Sequence, residues 1–244
     1  MKLHSLLACV FAAVFLVSCK EDKQKPKVIY NKGKATPAAK KIDSAQIKVA
    51  DLPINIEGTK YLIYPVGDIR IYDDSNRSYG SSRTNSPVSY AISNYNRFEI
   101  TGYFENIKFQ HVDSTALRPL TDKKLQIQTV TYLEGVAART KKQLLVYALV
   151  DSDTNQDGKV DANDIKSLYI SDISGAGFKK LSGDVQELVD WNVIDAQSRI
   201  YFRTLEDINK NGAFDKDDAV HYHFVDLLVA GWEVQDYMPV DISH

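Results

Sequence analysis

The sequence predicts a mainly β chain built from repeated antiparallel sheets. Short runs of β-branched and aromatic residues recur between turn-forming residues, and several alternate apolar and polar with period two. Fourteen Tyr and nine Phe against two Met favour strands over helical bundles. A weak internal repeat adds a third indication: Tyr147 and Asp153 return as Tyr201 and Asp207 after 54 residues.

In chain order the expected strands are 61–64, 69–72, 88–92, 98–101, 107–112 and 125–130, then 144–150, 168–170, 200–202 and 220–225. Only residues 184–191 offer a helical turn. The strand holding Tyr169 recurs as that holding Tyr222, an interval of 53. An earlier unit holds Phe109 followed by Arg118-Pro119-Leu120-Thr121, parallel to Tyr169 followed by Lys179-Lys180-Leu181-Ser182.

The pattern Leu-Tyr-Ile-Ser-Asp-x-x-Gly at 168–175, with its Leu181-Ser182 ending, resembles the blades of TolB-like β-propellers. The resemblance covers roughly residues 98–226 and implies a partial or small propeller. Its three long units are fewer than the roughly four blades of an ordinary closed ring, so a β-sandwich is the alternative.

Composition excludes several classes. The 244 residues carry 30 Lys+Arg and 32 Asp+Glu, and 44% are hydrophobic, an ordinary globular balance. A net charge of −2 gives no basic domain of the kind that binds nucleic acid. The charge is unevenly spread, however. Residues 20–50 hold nine Lys and three acids, whereas from Asp51 onward there are 20 basic and 29 acidic residues. The first stretch, rich in Lys and Ala with Pro26, Gly33 and Pro37, reads as a flexible tether. The expected organisation is a signal peptide at 1–18, a tether at 19–50 and a β-domain at 51–244.

Lys2 supplies a positive n-region, and residues 6–17 form twelve consecutive apolar positions, too short for a mature membrane span. The run ends in Leu16-Val17-Ser18-Cys19, which resembles the lipobox of bacterial lipoproteins. That resemblance implies cleavage before Cys19 and a diacylglycerol on its thiol. Of two cysteines, Cys9 lies in the discarded run, so the mature chain keeps Cys19 alone and forms no internal disulfide. Lys20-Glu21-Asp22 resembles the signal that sends Bacteroidota lipoproteins to the outer face of the outer membrane. The expected location is therefore a lipid-anchored, surface-exposed one, with outer-membrane lipid as the first partner.

The strongest chemical signal is the segment 153–164, Asp-Thr-Asn-Gln-Asp-Gly-Lys-Val-Asp-Ala-Asn-Asp. Asp153, Asn155, Asp157, Asp161 and Asp164 occupy positions 1, 3, 5, 9 and 12, with Gly158 at the bend and Lys159 offering its carbonyl. Hard cations need six to eight convergent oxygens, and alternate residues on a tight loop supply them. The segment resembles the calcium loop of EF-hands and dockerins. Residues 207–218 repeat the spacing with Asp207, Asn209, Asn211, Gly212, the carbonyl of Ala213, Asp215 and Asp218. The resemblance implies two structural Ca2+ ions. The closing Asp, shorter than the usual Glu, admits Mg2+ as well. Paired helix-loop-helix units should recur after roughly thirty to forty residues. The interval here is 54 and the flanks alternate as strands, so the loops are expected inside β-hairpins.

His221 and His223 flank Tyr222 and could ligate zinc with Asp226. Without another His or Cys partner they are expected to face water, with Tyr222 and Phe224 in the core. Asp43-Ser44-Ala45 and Asp113-Ser114-Thr115 resemble the short O-glycosylation triplet of Bacteroidota. No G-x-S-x-G, P-loop or G-x-G-x-x-G is present. The expected function is a non-enzymatic surface module that binds a protein or glycan. The alternatives are a glycan-active hydrolase with structural calcium and a subunit of an envelope complex.

Overall fold

The computed structural model describes residues 26–30, 46–71, 88–89, 92–96 and 98–240. The expected signal peptide, Cys19, the Lys20-Glu21-Asp22 signal and the Asp43 triplet lie outside the described residues. The chain is mainly β, arranged as three antiparallel sheets, none of which closes on itself.

The first sheet contains β1 (Gln46–Ala50), β2 (Ile54–Asn55), β3 (Tyr61–Ile71), β4 (Val88–Ser89), β7 (Asn106–His111) and β8 (Arg118–Pro119). Its spine is β3, which merges two expected strands into one by running through Pro65. Although Pro65 has no N–H to donate, its carbonyl accepts from Asp51 at 2.8 Å. The second sheet runs β12 (Lys179–Lys180), β11 (Lys166–Asp172), β10 (Leu144–Val150), β9 (Gln126–Tyr132), β6 (Glu99–Phe104) and β5 (Ile92–Asn96). The third runs β13 (Gln186–Ile194), β14 (Arg199–Glu206), β15 (Ala219–Asp226) and β16 (Val234–Asp236).

Strand β10 explains how the sheets stack. All seven of its residues, Leu-Leu-Val-Tyr-Ala-Leu-Val, are buried, as expected of a strand covered on both faces. Leu145, Tyr147 and Leu149 join a core with Ile63, Ile107 and Phe109 of the first sheet. Leu144, Val146 and Ala148 point the other way, into a core with Leu188, Ile200, Phe202 and Val225 of the third. The middle sheet is thus the filling of a three-layer stack.

The strand order repeats, although the aromatic positions do not: Tyr147 is fully buried, whereas Tyr201 is half-buried against Phe224 and Tyr237. Strands β9 to β12 and β13 to β16 occupy their sheets in the same sequential order. The Leu120 N–H donates to the Ile107 carbonyl and the Leu181 N–H to the Leu168 carbonyl, both at 2.8 Å, so the first sheet repeats the short edge strand of the second.

Two elements depart from expectation. Residues 184–191 form no helical turn; β13 occupies most of them and pairs with β14. A β-bulge between Leu188 and Asp190 shifts the inward face from 188 to 191 and 193, so Leu188 and Trp191 sit at a helical interval on a strand. Conversely, Glu134–Thr140 form a helix, α1, between β9 and β10. It has only seven residues and no side-chain N-cap, but it buries Val136 in the second core. Lys141, at φ 65°, ends it by donating to the Ala137 carbonyl. Among the described residues no helix is long and apolar enough to cross a membrane.

Candidate cation-binding loops

Both acidic segments connect neighbouring strands of a β-hairpin. Residues 153–164 lie between β10 and β11, and residues 207–218 between β14 and β15. They occupy equivalent places in the repeat.

The backbone reverses in the same way in each. Gln156 and Gly158 have φ of 58° and 85°, and Lys210 and Gly212 have 58° and 83°. Left-handed conformations at the fourth and sixth positions turn successive N–H groups towards the loop's own carboxylates. Asp153 accepts from Asp157 N at 3.0 Å and Gly158 N at 2.8 Å. Asp207 accepts from Asn211 N at 3.1 Å and Gly212 N at 2.7 Å. Asn155 and Asn209 each accept from the fifth-position N–H at 2.9 Å. Asp157 accepts from Lys159 N at 2.9 Å, and Asn211 from Ala213 N at 2.7 Å. Asp161 and Asp215 accept from Asn163 N and Asp217 N, both at 2.9 Å. The closing Asp164 and Asp218 accept from Asp161 N at 3.0 Å and Asp215 N at 2.8 Å.

The electrostatics are unbalanced. Asp164 is fully buried and Asp207 is 3% exposed, yet among the described residues none of the seven carboxylates at the ligand positions forms an ion pair with Lys, Arg or His. Backbone N–H groups offset part of the desolvation cost, Asp164 also accepting from Thr154 N at 2.8 Å and Asn155 N at 3.0 Å. Among the described residues no group of three or more His, Cys, Asp or Glu is gathered as a ready metal cluster. The oxygen sets are mixed, combining carboxylates with the amides of Asn155, Asn209 and Asn211 and the carbonyls of Lys159 and Ala213. Oxygen-only donors of this kind suit a hard divalent cation.

The structure departs from the expected tether at two places. Residues 46–50 form β1, paired along its length with β3. Residues 26–30 sit against both loops. The N–H groups of Lys27 and Val28 donate to the Gly212 carbonyl at 2.7 and 3.3 Å, and that of Ile29 to the Thr154 carbonyl at 3.0 Å. Thr154 returns its hydroxyl to the Lys27 carbonyl at 2.7 Å, and Gln156 donates its amide to the Ile29 carbonyl at 2.8 Å. Val28 is buried, and Lys27 pairs with Glu187 at 2.8 Å. Burial, then a hydrogen bond to Asp207, pushes the Tyr30 hydroxyl up to about 12. Composition hid this segment; the signal that could have revealed it is Val28-Ile29-Tyr30, three β-prone residues in a row.

Beside the first loop, Asp151 receives the Lys180 ammonium and the Tyr169 hydroxyl, both at 2.7 Å. Burial works to raise the Asp151 pKa, but these two donors outweigh it and hold the carboxyl below its ordinary value.

The expected orientation of the His pair is reversed at His223, which is buried while Tyr222 and Phe224 are only half-buried. His223 shares its strand face with Val225, which lies in the second core, and this parity draws the ring inward. Its Nε2 meets the Thr204 hydroxyl at 3.0 Å and its Nδ1 meets Asp236 at 2.7 Å. The atom order matches that of a hydroxyl nucleophile, its base and an orienting carboxylate. Thr204 is fully buried, however, and also donates to Gln186 at 2.8 Å, so the relay ties four strands together. His221 pairs instead with Glu206 at 2.7 Å. A depression of about 310 Å3 is lined by Lys142, Lys179, Val229 and Trp232 among others. Both of its ammonium groups are engaged by main-chain carbonyls, Lys142 with Leu228 at 2.8 Å and Lys179 with Gly231 at 2.6 Å. Asp113 and Ser114 occupy an exposed turn after β7.

No protein-family model matches the chain, and no curated protein sequence matches it.

Proposed function

We propose that the chain is a lipid-anchored, outer-membrane surface protein whose β-domain binds a protein or glycan and is stabilised by two Ca2+ ions. One observation carries this reading. Two loops at equivalent hairpins of a repeat share one hydrogen-bond skeleton around a mixed set of oxygen donors. Asp153, Asn155, Asp157, Asp161 and Asp164, with the Lys159 carbonyl, would hold one ion. Asp207, Asn209, Asn211, Asp215 and Asp218, with the Ala213 carbonyl, would hold the other. Mg2+ is the competing occupant.

The role is structural. Four carboxylates in twelve residues repel one another without a cation. At a site affinity of about 10⁻⁴ M and external calcium of about 10⁻³ M, each ion adds about 1.4 kcal/mol, enough to order a loop. The three stacked units are the blades of a partial TolB-like arrangement, in which the loops brace one edge.

Anchoring rests on Cys19 and its flanking residues. Cells fed labelled palmitate should yield a labelled chain, and Cys19→Ser should abolish both label and membrane association. The Cys19→Ser protein retaining both, or intact-cell pull-downs that recover no partner alongside measured turnover of a glycan, would overturn the proposal.

A further inference from the structure

Residues 26–30 lie between the membrane-proximal end of the mature chain and the first strand, yet they touch both acidic loops at once. The five loop groups they meet are all at loop positions 1, 2, 4 and 6. Four are on Asp207, Thr154, Gln156 and Gly212. The Thr154 carbonyl, on the same residue as the hydroxyl, is the fifth. The Lys27 side chain reaches a strand instead, through Glu187. The seat therefore exists only while both loops keep their present conformation. It is also tight: a Cβ added at Gly212 would meet the Val28 carbonyl at 2.4 Å and the Pro26 ring at 2.9 Å.

We propose that residues 26–30 are a latch that docks when divalent cations order both loops and is released when they leave, thereby changing the length of the membrane tether. This rests on the cation and lipid-anchor readings given above. Ordering an extended segment costs conformational entropy, which fixed partners must offset. With the loops unloaded, repulsion among Asp153, Asp157, Asp161 and Asp164, and among Asp207, Asp215 and Asp218, displaces the Thr154 and Gly212 groups that meet the segment. Linkage makes the effect reciprocal: whatever factor the cation adds to docking, docking adds to cation affinity. Because one segment bridges both loops, it also couples the two sites to each other.

The consequence is geometric. With the latch docked, the chain from Cys19 to Pro26 can span at most about 25 Å. With it released, the chain from Cys19 to Gln46 can span up to about 95 Å. Cation loss would convert a domain held close to the membrane into one that reaches away from it.

Hydrogen exchange on the mature chain carrying Cys19→Ser tests this. In calcium, the amides of Lys27, Val28 and Ile29 should exchange at least about tenfold more slowly than in EDTA, while those of β10 stay protected in both. A second variant, Val28→Asp, expels the latch while leaving every loop residue unchanged. It should weaken calcium affinity about fivefold or more in a competing-chelator titration and leave melting in EDTA unchanged. Equal protection of the three amides with and without calcium would overturn the latch, as would an unaltered affinity in Val28→Asp. If the unsubstituted chain takes up no calcium in the same titration, the cation reading fails and the latch with it. Uptake without any response of the three amides removes the latch alone.

Discussion

Asp164 lies fully buried beneath the first loop and accepts the Thr154 N–H at 2.8 Å, joining the last position of the loop to its second. The same carboxylate holds the N–H groups of Asn155 and Asp161, so one side chain closes the whole ring. Asp164→Ala should destabilise the chain by about 2–4 kcal/mol, because three backbone donors lose a charged acceptor. A melting temperature lowered by roughly 5–15 °C, with a smaller response to added calcium, is the expected outcome. Melting curves that coincide with those of the unsubstituted chain would contradict it.

Neighbouring leucines on β10 serve different cores. Leu145 packs towards the first sheet and Leu144 towards the third. Each Leu→Ala change should cost about 2–5 kcal/mol in denaturant unfolding. In a two-layer sandwich one of the two would face solvent and tolerate the change, so a near-neutral result at either position would argue against the three-layer stack.

The Asp151–Lys180 pair sets an acid limit on stability. The folded carboxyl has a pKa below its ordinary 3.8. A lowered folded pKa contributes stability above the unfolded value, and that contribution disappears as pH falls through the folded value. Asp151→Asn should therefore be less stable than the parent at pH 7, with the difference shrinking below about pH 4. Unfolding free energies measured from pH 7 to pH 3 check the sign. A gap that stays constant or widens in acid would count against the pairing.

The buried Tyr147 hydroxyl meets the Ser171 hydroxyl at 2.7 Å between β10 and β11. Burial pushes its ionisation well above the usual tyrosine range, so the ring is neutral at both pH 7 and pH 9. Tyr147→Phe should cost about 1 kcal/mol and leave the pH dependence unchanged. Denaturant melts at pH 7 and pH 9 provide the comparison, and a loss seen at only one of the two would be inconsistent with a neutral hydrogen bond.

Local patterns carried much of this fold. Period-two runs such as Asn106–His111 and the all-apolar Leu144–Val150 are strands because their residue types fit a pleated, buried surface. The repeat placed both acidic loops in hairpins, since Tyr147 and Tyr201 sit on equivalent strands. Long-range parity was illegible. The bulge at Leu188–Asp190 gave a strand a helical spacing, and His223 followed Val225 inward where Phe224 had looked the better core residue. The docking of Val28 was hidden for another reason. Lysines surround it in sequence, and its partner Gly212, like the Thr154 that its neighbours Lys27 and Ile29 meet, is more than a hundred residues away.

Metal content and melting temperature, determined together on the purified mature chain, test the central claim most directly. Two calcium ions per chain, with a melting temperature that falls in EDTA and recovers when calcium is restored, is the predicted result. A chain that contains no divalent metal after incubation in millimolar calcium, and melts at the same temperature with or without chelator, would contradict it.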